Sequence, residues 1–302
     1  MLSTKERKEE RFLSKGLPKR LYLTYRCNDN CIFCYDGVKH KTLPDLPLEE
    51  AKGLVVKFKN EGQTLISLGG SEPTLYPHLF ELIEFIKSLG LKFRMASNLR
   101  RCSDKNFAKK VAESGLVSVY TSLHGHNAEL HDKIARINGS FQSRTEGMRN
   151  LTALGVKIET NTTITTLNFK YLRTIAEFIW RNFEPFRMRF AFLWCTANVL
   201  DDPKGIMPKI PEIRPYLKEA MDYLKEKGPY AFIEKAPICL LPEYWKDFKS
   251  EYYMLTENVK PSICRSCKFY SDNNCVGISP VYLSLYGDSD LIPQKRKKWL
   301  FF

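Results

Sequence analysis

No run of 18 consecutive apolar residues occurs in this chain of 302 residues, and a membrane-spanning helix needs roughly that many or more. No transmembrane helix is therefore expected. The opening residues Met1-Leu2-Ser3-Thr4-Lys5-Glu6-Arg7-Lys8-Glu9-Glu10 are charged and lack the apolar core of a secretory signal. A reducing, cytoplasmic setting is the expectation, and there nine cysteines point to metal or redox work rather than a disulfide framework. The first three of them lack the closed set that zinc favours. Three lie together at Cys27, Cys31 and Cys34 with no fourth nearby, whereas a structural zinc site closes four ligands, generally from two C-x2-C halves.

What is present is a C-x3-C-x2-C run, Cys27-Asn28-Asp29-Asn30-Cys31-Ile32-Phe33-Cys34. Three thiolates can hold three irons of a [4Fe-4S] cube and leave the fourth open to an exogenous ligand. A structural zinc knot is the alternative. The run follows an apolar, strand-like segment, Arg20-Leu21-Tyr22-Leu23-Thr24, which places it at the C-terminal end of a first strand, where parallel α/β folds put their chemistry. Strand and helix signals then alternate. Strands are expected at 64–68, 91–96, 117–121, 156–163 and 186–194, with helices over 47–62, 79–89, 103–115 (Ser103 as N-cap), 140–155 and 168–181. Six βα units imply an open, parallel α/β architecture. A content of 43% apolar and 13% aromatic residues is ample for its core.

With Phe33 in the aromatic slot of C-x3-C-x-aromatic-C, the cysteine run resembles the defining motif of the radical S-adenosylmethionine (SAM) superfamily. The resemblance covers 17–200 and implies a partial (β/α)6 TIM-like barrel, preceded by an N-terminal extension at 1–16. Gly69-Gly70-Ser71-Glu72-Pro73 is similar to the family's GGE element, which binds the SAM amino group. Its glycines allow close backbone approach, and Glu72 offers a carboxylate to an ammonium. Ser97-Asn98 resembles a ribose-binding segment, although Leu99 stands where glycine is usual. Ser122-Leu123-His124-Gly125 resembles the S-L-x-G segment, Arg136 could meet the SAM carboxylate, and Thr160 and Asn161 could touch the ligand. Each has a plain alternative: Asn98 as a turn residue, His124 and His131 as satisfied surface histidines, Arg136 as one basic side chain among many.

Beyond residue 200 the composition changes. A linker rich in Asp and Pro leads to a helix over 211–227, and four cysteines follow at Cys239, Cys264, Cys267 and Cys275. Four thiolates suit a closed site for a cluster or for zinc. The arrangement resembles the SPASM or twitch extension of radical SAM enzymes, here 201–290, which implies one auxiliary [4Fe-4S] cluster. Cys102 and Cys195 are left over, Cys102 as a plain thiol and Cys195 as a candidate ligand or catalytic thiol. The tail 291–302 contains Lys295-Arg296-Lys297-Lys298 beside Trp299, Leu300, Phe301 and Phe302, part of a net charge of +13.

The resemblance implies reductive cleavage of SAM to a 5′-deoxyadenosyl radical, with the cofactor carrying the chemistry and a ferredoxin or flavodoxin as electron donor. Peptide maturation or small-molecule oxidation is the expected outcome. The short segment before residue 20 leaves no room for a leader-capturing domain, which counts against a peptide. Two other readings stay open. One is a non-catalytic Fe-S or zinc protein that binds nucleic acid through its basic surface; the other is an enzyme acting on lipid or RNA, with the tail meeting a membrane surface.

Overall fold

The computed structural model describes residues 18–37, 42–249, 258–273 and 275–295. The N-terminal extension 1–16 and the basic aromatic run 296–302 lie outside the described residues. Eight strands follow one another in sheet order: β1 (Arg20–Tyr22), β2 (Leu65–Gly69), β3 (Lys92–Ala96), β4 (Leu116–Ser122), β5 (Lys157–Thr163), β6 (Arg187–Ala191), β7 (Tyr230–Glu234) and β8 (Phe248–Lys249). The parallel βα alternation expected from the sequence is borne out.

The described chain falls into two compact units, one of residues 18–28, 42–120 and 146–157, the other of 29–37, 121–145 and 158–295. In the first, β1 pairs with β2 in parallel from Arg20↔Ser67, and β2 with β3 from Leu65↔Lys92. All five residues of β2 are buried, as a parallel strand covered on both faces requires. The helices α1 (Leu48–Asn60), α2 (Leu79–Ser88) and α3 (Lys105–Glu113) belong to this unit. Leu79, Leu82, Ile83 and Ile86 form the buried stripe of α2, the periodicity that marked it in the sequence. The N-cap of α3 is Asp104 rather than Ser103: its carboxylate accepts from the Phe107 amide at 2.8 Å, satisfying a first-turn donor. Ser103 ends a short 3-10 turn instead and donates to the Arg100 carbonyl at 2.8 Å.

In the second unit β5, β6, β7 and β8 run parallel, with Arg187↔Tyr230 and Ile233↔Phe248 in register. The sheet therefore continues two strands past the six expected. β8 has only two residues, and Tyr230-Ala231-Phe232-Ile233-Glu234 follows the helix stop at Gly228 almost at once. The unit holds α4 (Ala128–Ala135), α6 (Leu172–Phe183), α7 (Ile210–Lys227) and α8 (Pro280–Tyr286), and α5 (Ser140–Ala153) begins in it. The periodicity did not reveal α4. Asn127 caps it, accepting from Leu130 at 3.0 Å, and Arg136 ends it in the left-handed region at φ +54°. Tyr282 on α8 accepts from the Ile210 amide at 2.9 Å and donates to Asp290 at 2.7 Å, fastening the C-terminal segment to the start of α7. Among the described residues no helix is long and apolar enough to cross a membrane.

Candidate active site

The boundary between the units runs through the cysteine loop, between Asn28 and Asp29. On the first side the loop is fixed by backbone. Gly70 has φ +127°, and a Cβ placed there would stand 2.4 Å from the Thr24 carbonyl oxygen, closer than any side chain tolerates. Freed of that atom, the turn after β2 donates the Ser71 amide to Thr24 at 2.9 Å and the Glu72 amide to Arg26 at 3.0 Å. Arg26 in turn donates Nε to Asp45 at 3.2 Å.

Glu72 is fully buried. Its Oε1 accepts from the Thr74 amide at 3.1 Å, the Thr74 hydroxyl at 2.6 Å and the Ser97 hydroxyl at 2.7 Å, and its Oε2 from the Asn98 amide at 2.6 Å. Burial pushes the carboxyl up from its usual range, while these donors pull it back. Both oxygens are engaged by the protein, so Glu72 is a hub that holds the end of β3. Asn98 passes the order on: its Nδ2 donates to Asn28 at 2.6 Å and lies 3.9 Å from the Cys27 sulfur. Leu99 takes φ +62°, the conformation that the usual glycine would adopt without cost. Its buried side chain offsets the strain, and its carbonyl passes so close to Gly147 on α5 that a Cβ there would lie 2.2 Å away.

On the second side, the Asn30 and Ile32 amides donate to Ala135 and Ile134 at 3.0 Å each, and the Asn198 side chain donates to the Cys31 carbonyl at 2.9 Å. The Asn198 amide donates to the Cys34 carbonyl at 3.3 Å, from a turn in which Ala197 takes φ +44°. Burial pushes the Cys34 thiol up, and backbone N–H groups of Gly37 and Asp36 bonded to its sulfur pull it down. Asp29 accepts from Ser140 at 2.9 Å and forms a buried ion pair with Arg144, which also donates to the Ser122 carbonyl. Arg144 is thus bound to this loop at Asp29, as Arg100 is at the Asn28 carbonyl, whereas Arg136 is exposed at the end of α4. Asp29, Arg144, Gly147 and Asn198 were missed in the sequence. An Asp inside the cysteine run and a small residue amid a polar helix were the only signals. Phe33 meets His124 edge to face at 4.7 Å, and His124 is buried, held well below the usual imidazole range by burial and by Arg144. His131 is buried as well.

The four C-terminal cysteines come together wholly within the second unit. Cys239, Cys264, Cys267 and Cys275 line one small cavity with Pro261, Phe269 and Leu291. Burial pushes the Cys239 thiol up to about 12; an N–H of Ile292 pulls it down, and Cys275 and Cys264 push it further up. The Gln294 amide donates to the Cys267 sulfur at 3.3 Å. Gly277 turns the chain after Cys275 at φ +74°, where a Cβ would meet the Val259 carbonyl oxygen at 2.4 Å. Among the described residues no three His, Cys, Asp or Glu side chains form a group that could hold a metal ion. Cys102 and Cys195 are buried, and burial pushes the Cys102 thiol up to about 12, as in an inert structural thiol.

Parallel strands whose C-terminal ends carry a three-cysteine loop and a glycine-rich turn define a class of iron-sulfur enzyme. The sequence model of the radical SAM superfamily matches residues 21–179, and the chain belongs to that superfamily, whose members carry a [4Fe-4S] cluster and bind SAM. Among curated relatives, the AdoMet-dependent heme synthase of Oleidesulfovibrio alaskensis is 31% identical over 51% of this chain and 39% of its own length. The mycofactocin maturase MftC of Mycobacterium tuberculosis is 29% identical over 44% of this chain and 34% of its own. The chain thus spans about two fifths or less of these relatives. Among solved structures, Streptococcus suis SuiB bound to precursor peptide SuiA has a TM-score of 0.62 at 18% identity, covering 80% of this chain and 55% of that one. The enzyme anSMEcpe with bound AdoMet and Cp18Cys peptide has a TM-score of 0.56 at 18% identity, covering 70% and 60%. These likenesses show the fold.

Two substitutions test the scaffold. Glu72→Gln turns a donor toward the Asn98 amide and should cost about 1–3 kcal/mol in the SAM-free protein, read by chemical denaturation; unchanged stability would mean that Glu72 is no hub. Arg144→Met leaves Asp29 buried without its partner and should cost about 3–5 kcal/mol. A loss below about 1 kcal/mol, the range of an exposed pair, would contradict that burial.

Proposed function

We propose that the chain is a radical SAM enzyme holding its SAM-binding [4Fe-4S] cluster on Cys27, Cys31 and Cys34 and an auxiliary [4Fe-4S] cluster on Cys239, Cys264, Cys267 and Cys275. The donor sets fit. Burial raises the Cys34 and Cys239 thiols, and amides of Asp36 and Gly37 bonded to Cys34 and of Ile292 bonded to Cys239 oppose that rise, as the thiolate state that ligation demands requires; the Gln294 amide bonds the Cys267 sulfur. When bound, the first cluster supplies the electron that cleaves SAM to methionine and a 5′-deoxyadenosyl radical. The chain's own residues bind and orient. Gly69 and Gly70 bring backbone close to the loop, Glu72 orders Ser97 and Asn98 for contact with SAM, and Arg144 fixes the Ser122 carbonyl and Asp29.

The substrate we favour is a peptide, oxidised with help from the auxiliary cluster. Support comes from SuiB and anSMEcpe, each determined with a peptide bound. Oxidation of a small molecule is a second reading, supported by the identity with heme synthase. One observation carries the auxiliary cluster: four thiols on a single cavity. Reconstituted protein should bind about eight irons, and the triple variant Cys27→Ala, Cys31→Ala, Cys34→Ala should retain about half of its iron and sulfide. One tightly held zinc and no iron in that variant would replace the auxiliary cluster with a structural zinc site.

A further inference from the structure

Three strands of the second unit place a buried charged constellation on one face of the sheet. Side chains alternate along a strand, so Glu159 and Asn161 on β5, Arg189 on β6, and Phe232 and Glu234 on β7 share that face through the pairs Asn161↔Arg189, Arg189↔Phe232 and Ala191↔Glu234. Arg189 bonds Glu159 on one side and donates Nη1 to Glu234 Oε2 at 2.9 Å on the other, with all three side chains at most 6% exposed. Arg189 also lies over the Phe232 ring at 5.0 Å. The register staggers the three: Glu159 lies deepest, Arg189 beside Asn161, and Glu234 at the C-terminal edge level with Thr163 and Ala191.

Two acceptors on this face, Glu234 Oε1 and Asn161 Oδ1, are buried without a hydrogen-bond partner. Two carboxylates against one guanidinium also leave the group one negative charge in excess, and a buried excess charge calls for a counter-charge or a proton. Lys235 follows in the left-handed region at φ +60° and sends its Nζ to within 5.2 Å of the Trp194 ring.

We propose that Glu234, positioned by Arg189 and Glu159, is a substrate-recognition carboxylate that takes an ammonium group of the substrate. An ammonium brings several donors and a single positive charge, which matches both deficits. Burial pushes the Glu234 carboxyl up, Arg189 and Lys235 pull it down, and Glu159 pushes it up again. The inference rests on the radical SAM reading for the substrate's being an enzyme substrate, but not for the chemistry of the subsite.

Equilibrium dialysis of the reconstituted holoenzyme against radiolabelled n-butylamine, n-butyrate and n-butanol tests the subsite. Butylammonium should bind in preference to both others, and Glu234→Gln should weaken it about tenfold or more. Equal binding of the three probes by the wild-type protein, no binding of butylammonium, or undiminished binding in a folded Glu234→Gln variant would each overturn the proposal. The wild-type comparison needs no variant and stands even if the substitution prevents folding. Release of 5′-deoxyadenosine from SAM, measured on the same wild-type preparation, separates the two readings. Release without amine preference rejects the subsite and leaves the enzyme standing, and amine preference without release supports the subsite and removes the enzyme.

Discussion

A loop that presents three thiolates between β1 and the next element has no hydrogen-bond ladder of its own. Its backbone groups must be bonded from outside or left unsatisfied at a cost. The structure meets that demand twice. Before the boundary at Asn28, the turn at Gly70 donates to Thr24 and Arg26; after it, Asn198 and the carbonyls at the end of α4 bond the stretch through Cys34. Without a glycine at position 70 the first of these attachments has no room to form.

Buried charge follows the same logic. Glu72 and Asp29 are carboxylates taken out of water, and each is kept by donors. Glu72 has four hydrogen bonds, two from Thr74 and two from Ser97 and Asn98 at the end of β3; Asp29 has Ser140 and Arg144. Such groups bring little net stability against apolar replacements, but losing one partner is expensive. They specify position, which is what an active-site loop needs. Glu234 differs, because one of its oxygens has no partner at all.

Much of this was legible in the sequence where chemistry and spacing coincide. The C-x3-C-x2-C run, the Gly69-Gly70 turn and the alternation of strands with helices required no tertiary information. The C-terminal cysteines could be grouped by residue type, and they do line one cavity. What could not be read was tertiary in origin. Arg144 lies more than a hundred residues from Asp29 in the chain, and nothing local distinguishes it from Arg136. The hydrogen bonds that Ser97 and Asn98 give to Glu72 were likewise invisible in the sequence. The left-handed Leu99 makes sense only with Gly147 beneath its carbonyl. β8 has only two residues and β7 begins just after the helix stop at Gly228, so the sheet outran the pattern.

The central claim is that the open-iron cluster on the first three cysteines cleaves SAM. Anaerobically reconstituted protein, reduced with dithionite and given SAM, should release 5′-deoxyadenosine, and Cys27→Ala, Cys31→Ala and Cys34→Ala should each abolish that release. Release that continues unchanged in all three variants would contradict it.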